Sequence, residues 1–467
     1  MQVLKPPEAL LPGVPCGILA EETLWGIFLW RRSVVINPSL ELFSPDDLRV
    51  DSTSFAPFLN RARAEREQGR DVAARVALGA YLGARLVDRC LGLGDSADDA
   101  EGLSWQLEST RKFLQDLPGD EAEVSHLLGI SESVTSDPVH RDAVLRMSLV
   151  AYAYYLEHEA RLEEALEILG LSARTYRSEM PPVDTATISL FVARLNRMLA
   201  RWDRANRAYT VAEHAGLEVR DLNTVMLARI GMANVNRGQG NLPSARAALE
   251  KVVAESDSPE LSEVRGRALS DLSVVLERQG LTYDCITVKY SALLCLKDEM
   301  QRIRVLGDLG YVLRTLGAYE AARQSFSLVL SSDPSFLLRV NAYLELMELE
   351  SAVGNRIAFE RCRQECRTYE DRMPPSMAID YRYKIGIGYA RFGKETKARA
   401  VLREALVLAE ANQLNEWYFR LDRVVRGLEL CQDHLDLKPT TAEATYMAPA
   451  VARVSAGLME MAGAGSR

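Results

Sequence analysis

Apolar residues recur at three- and four-residue intervals along most of this chain, the period of helices that bury one face. The stretch Leu306–Pro334 shows the pattern in full. A first apolar helix runs to Gly317, Ala322 opens a second, Phe326 follows one turn later, and Pro334 closes the segment. The pattern predicts a hairpin of two helices with a glycine at its turn.

The same punctuation recurs elsewhere. Gly240 precedes Ala245, Gly280 precedes Cys285, Gly317 precedes Ala322, Gly354 precedes Phe359 and Gly393 precedes Ala398. Ala160 before Ala165 and Ala200 before Ala205 repeat it with alanine in place of glycine. The second-helix anchors therefore fall at 165, 205, 245, 285, 322, 359 and 398, at intervals of 40, 40, 40, 37, 37 and 39. Glycine ends the first helix because a left-handed cap costs little without a Cβ. The small anchor lets the second helix come close, and Leu169, Tyr209, Leu249, Phe326 and Leu402, four residues on, fill the layer between neighbours. A lone hairpin would leave its apolar face wet, so the units must stack. Gly69 with Ala74 and Gly119 with Val124 mark two weaker units upstream. Phe359, bulky where the other anchors are small, predicts a local change in packing.

Leu309-Gly310, Leu313, Gly317, Tyr319, Ala322, Phe326 and Pro334 stand where the signature of the tetratricopeptide repeat places such residues. A second unit, Ile385-Gly386, Tyr389, Gly393, Ala398, Leu402 and Ala405, matches nearly as well. From about residue 55 to 431 the chain resembles that superfamily, and its long repeat is similar to the superhelical arrays of bacterial regulators that sense peptides or partner proteins. The resemblance implies an all-α, right-handed solenoid of seven to nine helical hairpins after a short irregular N-terminal segment. The expected organisation is a cap or docking segment over 1–54, a repeat domain over 55–433, and a partly flexible tail over 434–467. Within the first segment Trp25 and Trp30 flank an apolar run that either caps the array or docks on a partner.

Composition narrows the function. Of 467 residues 48% are hydrophobic and 26% charged, and 56 basic against 65 acidic residues give a net charge of -9. That balance argues against direct binding to nucleic acid. The seven cysteines are odd in number and set mostly in apolar helical stretches, which suits a reducing compartment. Prolines 6, 7, 12 and 15 break any signal-peptide core, and the run Leu24–Trp30 is too short to cross a membrane. The expectation is a cytoplasmic protein with no membrane contact.

Motifs for chemistry are weak. Gly388 to Lys394 has phosphate-loop spacing, but Glu395 follows where a magnesium-binding hydroxyl is needed. The five histidines fall in different units, and Cys362 and Cys366 lack companions at zinc-ligand spacing. We therefore expect no catalytic residue, no metal and no cofactor.

In the repeat class that the chain resembles, the first helix of each unit lines the concave face. Projected onto that register, the candidate binding residues are Arg194, Arg197, Asn234, Arg237, Arg278, Tyr311, Arg314 and Arg391. Arginine forks take carboxylates bidentately, and an asparagine amide can hold a peptide backbone. The same arginines also lie in the last turns of their helices, where a cation complements the dipole. The expected function is non-catalytic binding of a peptide or protein segment, and the row of arginines suits an acidic partner. The alternative is a peptide- or partner-gated signalling regulator acting through a separate effector protein.

Overall fold

The computed structural model describes residues 55–93, 100–119, 121–137, 140–176, 179–429 and 449–465. Trp25, Trp30 and the rest of the 1–54 segment lie outside them. The described residues form 20 α-helices, two short 3-10 turns and no strand. The chain divides into two compact units, 1–231 and 232–467.

The first unit holds α1 (Ala56–Glu67), α2 (Asp71–Leu93), α3 (Ala100–Gln115), α4 (Ala122–Ser133), α5 (Arg141–His158), α6 (Leu162–Arg174), α7 (Pro182–Met198) and α8 (Trp202–Glu218). The division falls inside α9 (Leu222–Gly238). The second unit continues with α10 (Leu242–Glu255), α11 (Ser262–Arg278), α12 (Thr282–Cys295), α13 (Glu299–Thr315), α14 (Tyr319–Ser331), α15 (Phe336–Ala352) and α16 (Arg356–Arg367). It closes with α17 (Pro375–Arg391), α18 (Glu395–Ala411), α19 (Asn415–Glu429) and α20 (Pro449–Gly465). The repeat stretch read as 55–433 contains the division between the two units.

Seven regular hairpins run from α5–α6 to α17–α18, each turning at the residue that the spacing marks. Ala160, Ala200, Gly240, Gly280, Gly317, Gly354 and Gly393 all take positive φ, between 55 and 81°. At each turn the amide of the residue that follows reaches back five residues, as in Leu281 N–H to Leu276 O at 2.9 Å and Lys394 N–H to Tyr389 O at 2.8 Å. This bond satisfies a carbonyl that the ending helix leaves without a partner. All seven second-helix anchors are fully buried. Upstream, Gly69 turns α1 into α2 in the same way. Gly119 does not adopt positive φ: Pro118, which disfavours helix at the residue before it, already stops the chain beyond α3.

The departure at Phe359 is resolved on the neighbouring unit. Phe359 is fully buried, and a Cβ at Gly388 of α17 would overlap its ring. Bulk on one second helix is thus matched by its absence on the next first helix. The two glycines of the phosphate-loop mimic are both explained, since Gly388 receives Phe359 and Gly393 is the turn. Lys394 lies over the Tyr389 ring at 5.4 Å.

Burial is not all apolar. In the first unit Arg61 of α1 donates to Glu164 Oε1 at 2.8 Å and to Glu123 Oε1 at 2.6 Å, while Tyr152 Oη donates to Glu123 at 2.7 Å. Burial pushes the Glu123 carboxyl up, but Arg61, Arg161 and the Tyr152 hydroxyl together hold it below the ordinary glutamate range. In the second unit Leu421 and Val424 of α19 close the apolar layer formed by Ile379, Leu402 and Ala405. The tail expected over 434–467 includes α20, a helix packed against α12 and α14.

Candidate functional site

The candidate groove residues sit on the first helices of the hairpins, two to six residues before each glycine or alanine turn. In the first unit Tyr154 of α5 stacks on Phe191 of α7, ring centroids 4.3 Å apart. One turn on, the Arg194 fork closes on Glu157, with Nε to Oε1 at 2.6 Å and Nη2 to Oε2 at 2.7 Å. The guanidinium also covers the Phe191 ring at 4.8 Å. Arg197 is partly buried and its Nε reaches Tyr209 Oη at 3.4 Å. Tyr154 remains 47% exposed, so the cluster offers an aromatic face beside a neutralised ion pair.

In the second unit Asn234 of α9 donates from Nδ2 to Asp271 Oδ2 of α11 at 2.8 Å, and Arg237 reaches Asp271 Oδ1 at 3.3 Å. The other half of the Asn234 amide, Oδ1, is buried without a hydrogen-bond partner among the described residues. A buried carbonyl left so forgoes about 1–3 kcal/mol, the desolvation cost that an incoming N–H would recover. Arg278 is exposed and forms no ion pair with the described residues. Tyr311, 44% exposed, lies under the Arg314 guanidinium at 5.3 Å. Arg314 Nε donates to Glu345 Oε2 at 2.9 Å, and Lys384 Nζ donates to Glu345 Oε1 at 2.6 Å and to Asp380 at 2.8 Å. Arg391 pairs with Glu348 at 2.9 Å and donates to Ser351 Oγ at 2.6 Å.

The electrostatics follow from these bonds. Burial alone pushes the Glu345 carboxyl up, but Lys384 and Arg314 outweigh it and hold it below the ordinary range. Burial would strip the Lys384 proton, yet Glu345 and Asp380 keep its ammonium above the usual lysine range. A chain of alternating charges therefore links α13, α15 and α17.

Of the arginines read from sequence, Arg194, Arg237, Arg314 and Arg391 each engage a carboxylate on a neighbouring first helix. Arg197 and Arg278 form no ion pair with the described residues: Arg197 is part-buried against Tyr209, and Arg278 is the exposed one. Sequence reasoning missed Asp271, Glu345 and Lys384, which lie three residues, about one helical turn, before Val274, Glu348 and Ile387, the residues that share the register of Arg194, Asn234 and Tyr311 on their own helices. Carrying the projection one helical turn back along the same face would have found them.

Among solved structures, this chain is similar to a Rap protein complexed with competence and sporulation factor, with 10% identity over 73% of this chain and 99% of that one, TM-score 0.42. It is also similar to aspartyl phosphate phosphatase F from Bacillus subtilis, with 12% identity over 77% of this chain and 95% of that one, TM-score 0.43. A third is the Rap conjugation gene regulator of plasmid pLS20 in complex with the Phr* peptide, at 10% identity, 73% and 97% coverage and TM-score 0.42. No family model and no curated protein matches the chain.

Among the described residues no group of three or more His, Cys, Asp or Glu side chains is placed to hold a metal ion. No helix among them is long and apolar enough to cross a membrane. The described cysteines are free thiols. Burial pushes Cys362 and Cys285 each up to about 11, so neither is an activated nucleophile at neutral pH.

Proposed function

We propose that this protein is a non-catalytic, cytoplasmic recognition module whose first-helix faces hold a peptide or an extended segment of a partner protein. The observation that carries the reading is the Asn234 amide. Its Nδ2 is anchored on Asp271 and its Oδ1 is buried without a hydrogen-bond partner among the described residues, an acceptor that a ligand backbone N–H would satisfy by displacing the side chains that cover it. In the same compact unit the half-exposed ring of Tyr311 supplies an apolar contact in the same register. Most projected arginines already hold carboxylates, so ligand acidity adds attraction chiefly at Arg278. The ligand is then gripped by backbone and aromatic contacts more than by charge.

A second reading, a regulator that passes ligand binding to a separate effector, is favoured by the alternating charges on α13, α15 and α17. Inserting a ligand group beside Glu345 would repartition Arg314 and Lys384 across three consecutive units. The test is selection of binders from a random peptide library on the wild-type chain, followed by affinity measurement on variants. Asn234→Ala and Tyr311→Ala are each expected to weaken the selected peptide about tenfold, the loss of roughly 1.4 kcal/mol. Unchanged affinity in both variants would refute the first-helix site.

A further inference from the structure

The second helices of a stacked hairpin array normally face solvent, and most here carry charge to match. Helices α8, α10, α16 and α18 have acidic or basic residues in both halves. Two do not. From Ile286 to Cys295, α12 has one charge, Lys289, which is buried; from Gln324 to Ser331, α14 has none. These two are the second helices that α20 packs against.

The contact has a fitted geometry. Val451, Val454 and Leu458 of α20 are buried, at the three- and four-residue spacing of a single helical face. Gly457 faces Tyr290 of α12 so closely that a Cβ there would overlap the phenol. The two charges of α20, Arg453 and Glu460, are both exposed, and Ala452 and Ala456 lie on the outer side. The same rule holds in the first unit, where the uncharged run from Ile168 to Ala173 of α6 is fully buried on a helix packed by α1 and α2. A second-helix segment without exposed charge therefore marks a surface built to be covered by another helix. On α6 the covering helices are themselves a hairpin of the unit. On α12 and α14 the cover is a separate helix, joined to α19 only through residues 430–448.

We propose that the uncharged face of α12 and α14 is a second recognition site, specific for an amphipathic helix with a glycine between its apolar contacts, and that α20 is its tethered occupant. The partner is a helix of that chemistry from another protein, which gains access when α20 leaves. Tethering raises the local concentration of α20 to the millimolar range, so a free helix competes only when it binds more tightly or when α20 is released. The site uses second helices and is distinct from the first-helix faces described above.

The test uses the full-length chain. Gly457→Val puts a branched side chain against Tyr290 and should eject α20. Backbone hydrogen exchange in 449–465 is expected to rise at least tenfold while exchange in α13 and α15 is unchanged. A fluorescein-labelled peptide of residues 449–465 is then expected to bind the variant at least tenfold more tightly than wild type, and a scrambled peptide to bind neither. Leu458→Asp, whose change lies on α20 and outside every hairpin, is expected to give the same two results if Gly457→Val disturbs folding. Rapid exchange of α20 in the wild-type chain would overturn the proposal. So would peptide binding to neither variant once α20 is released.

Discussion

Replacing Ala160 and Ala200 by glycine isolates the cost of a side chain in a left-handed turn. Both alanines sit at φ of 58 and 55°, in turns where five other hairpins use glycine. An L-residue pays about 1 kcal/mol in that region relative to glycine. The converse changes, Gly280→Ala and Gly354→Ala, place a Cβ with nothing within 4 Å, so no steric clash adds to the backbone term. The expectation is a gain of about 1 kcal/mol for each Ala→Gly, about 2 kcal/mol for the pair on separate hairpins, and a loss of about 1 kcal/mol for each Gly→Ala. Urea unfolding followed by circular dichroism reads the effect. For a slope near 2–3 kcal/mol/M, 1 kcal/mol moves the midpoint by roughly 0.3–0.5 M. Because stacked hairpins open in parts, hydrogen exchange at the amides of α5 and α6 should report the same gain locally for Ala160→Gly. A lowered midpoint for Ala160→Gly together with a neutral Gly280→Ala would refute the assignment of these turns.

Gly388→Ala should cost about 1–3 kcal/mol by crowding Phe359, and Phe359→Leu in the same chain should recover at least part of it, giving a non-additive cycle in urea melts. Arg61→Ala leaves Glu123 and Glu164 buried with less compensation and should cost about 3–5 kcal/mol, read by thermal unfolding, with Arg61→Lys intermediate. Arg278→Glu should leave stability within about 0.5 kcal/mol because the side chain is exposed and unpaired, whereas Arg194→Ala should lose about 1 kcal/mol with its fork on Glu157. For Glu345 and Lys384 the pH window follows from their opposite shifts. Glu345, depressed, contributes fully above about pH 4.3 and loses that as pH falls; Lys384, raised, contributes fully below about pH 10.4 and loses that as pH rises. The stability deficit of Lys384→Met should therefore be greatest near pH 7 and shrink towards pH 3, measured by urea midpoints across pH.

The hairpins were legible because their markers are local. A glycine or alanine five residues before a buried anchor needs only the chain around it, and all seven turns lie where that spacing put them. What could not be read were partnerships between units. Phe359 seemed a misfit until Gly388, on the next first helix, was seen to make room for it. The carboxylates that hold Arg194, Arg237, Arg314 and Arg391 come from other units, so a row of arginines looked free when only its own register was projected. The helix at 449–465 falls within the stretch read as a partly flexible tail, and its seat on α12 and α14 depends on a tertiary return that no neighbouring residue encodes.

The glycine–aromatic seams make the units unequal. Tyr209 of α8 fits Gly231 of α9, and Phe359 of α16 fits Gly388 of α17. Each ring needs its own vacancy on the helix that follows. A duplication or loss of one hairpin by recombination would therefore set a ring against a Cβ, or a vacancy against nothing, at the new junction. Such an array grows or shrinks in evolution only when both sides of a seam change together, so its length is inherited as a whole although its architecture is periodic.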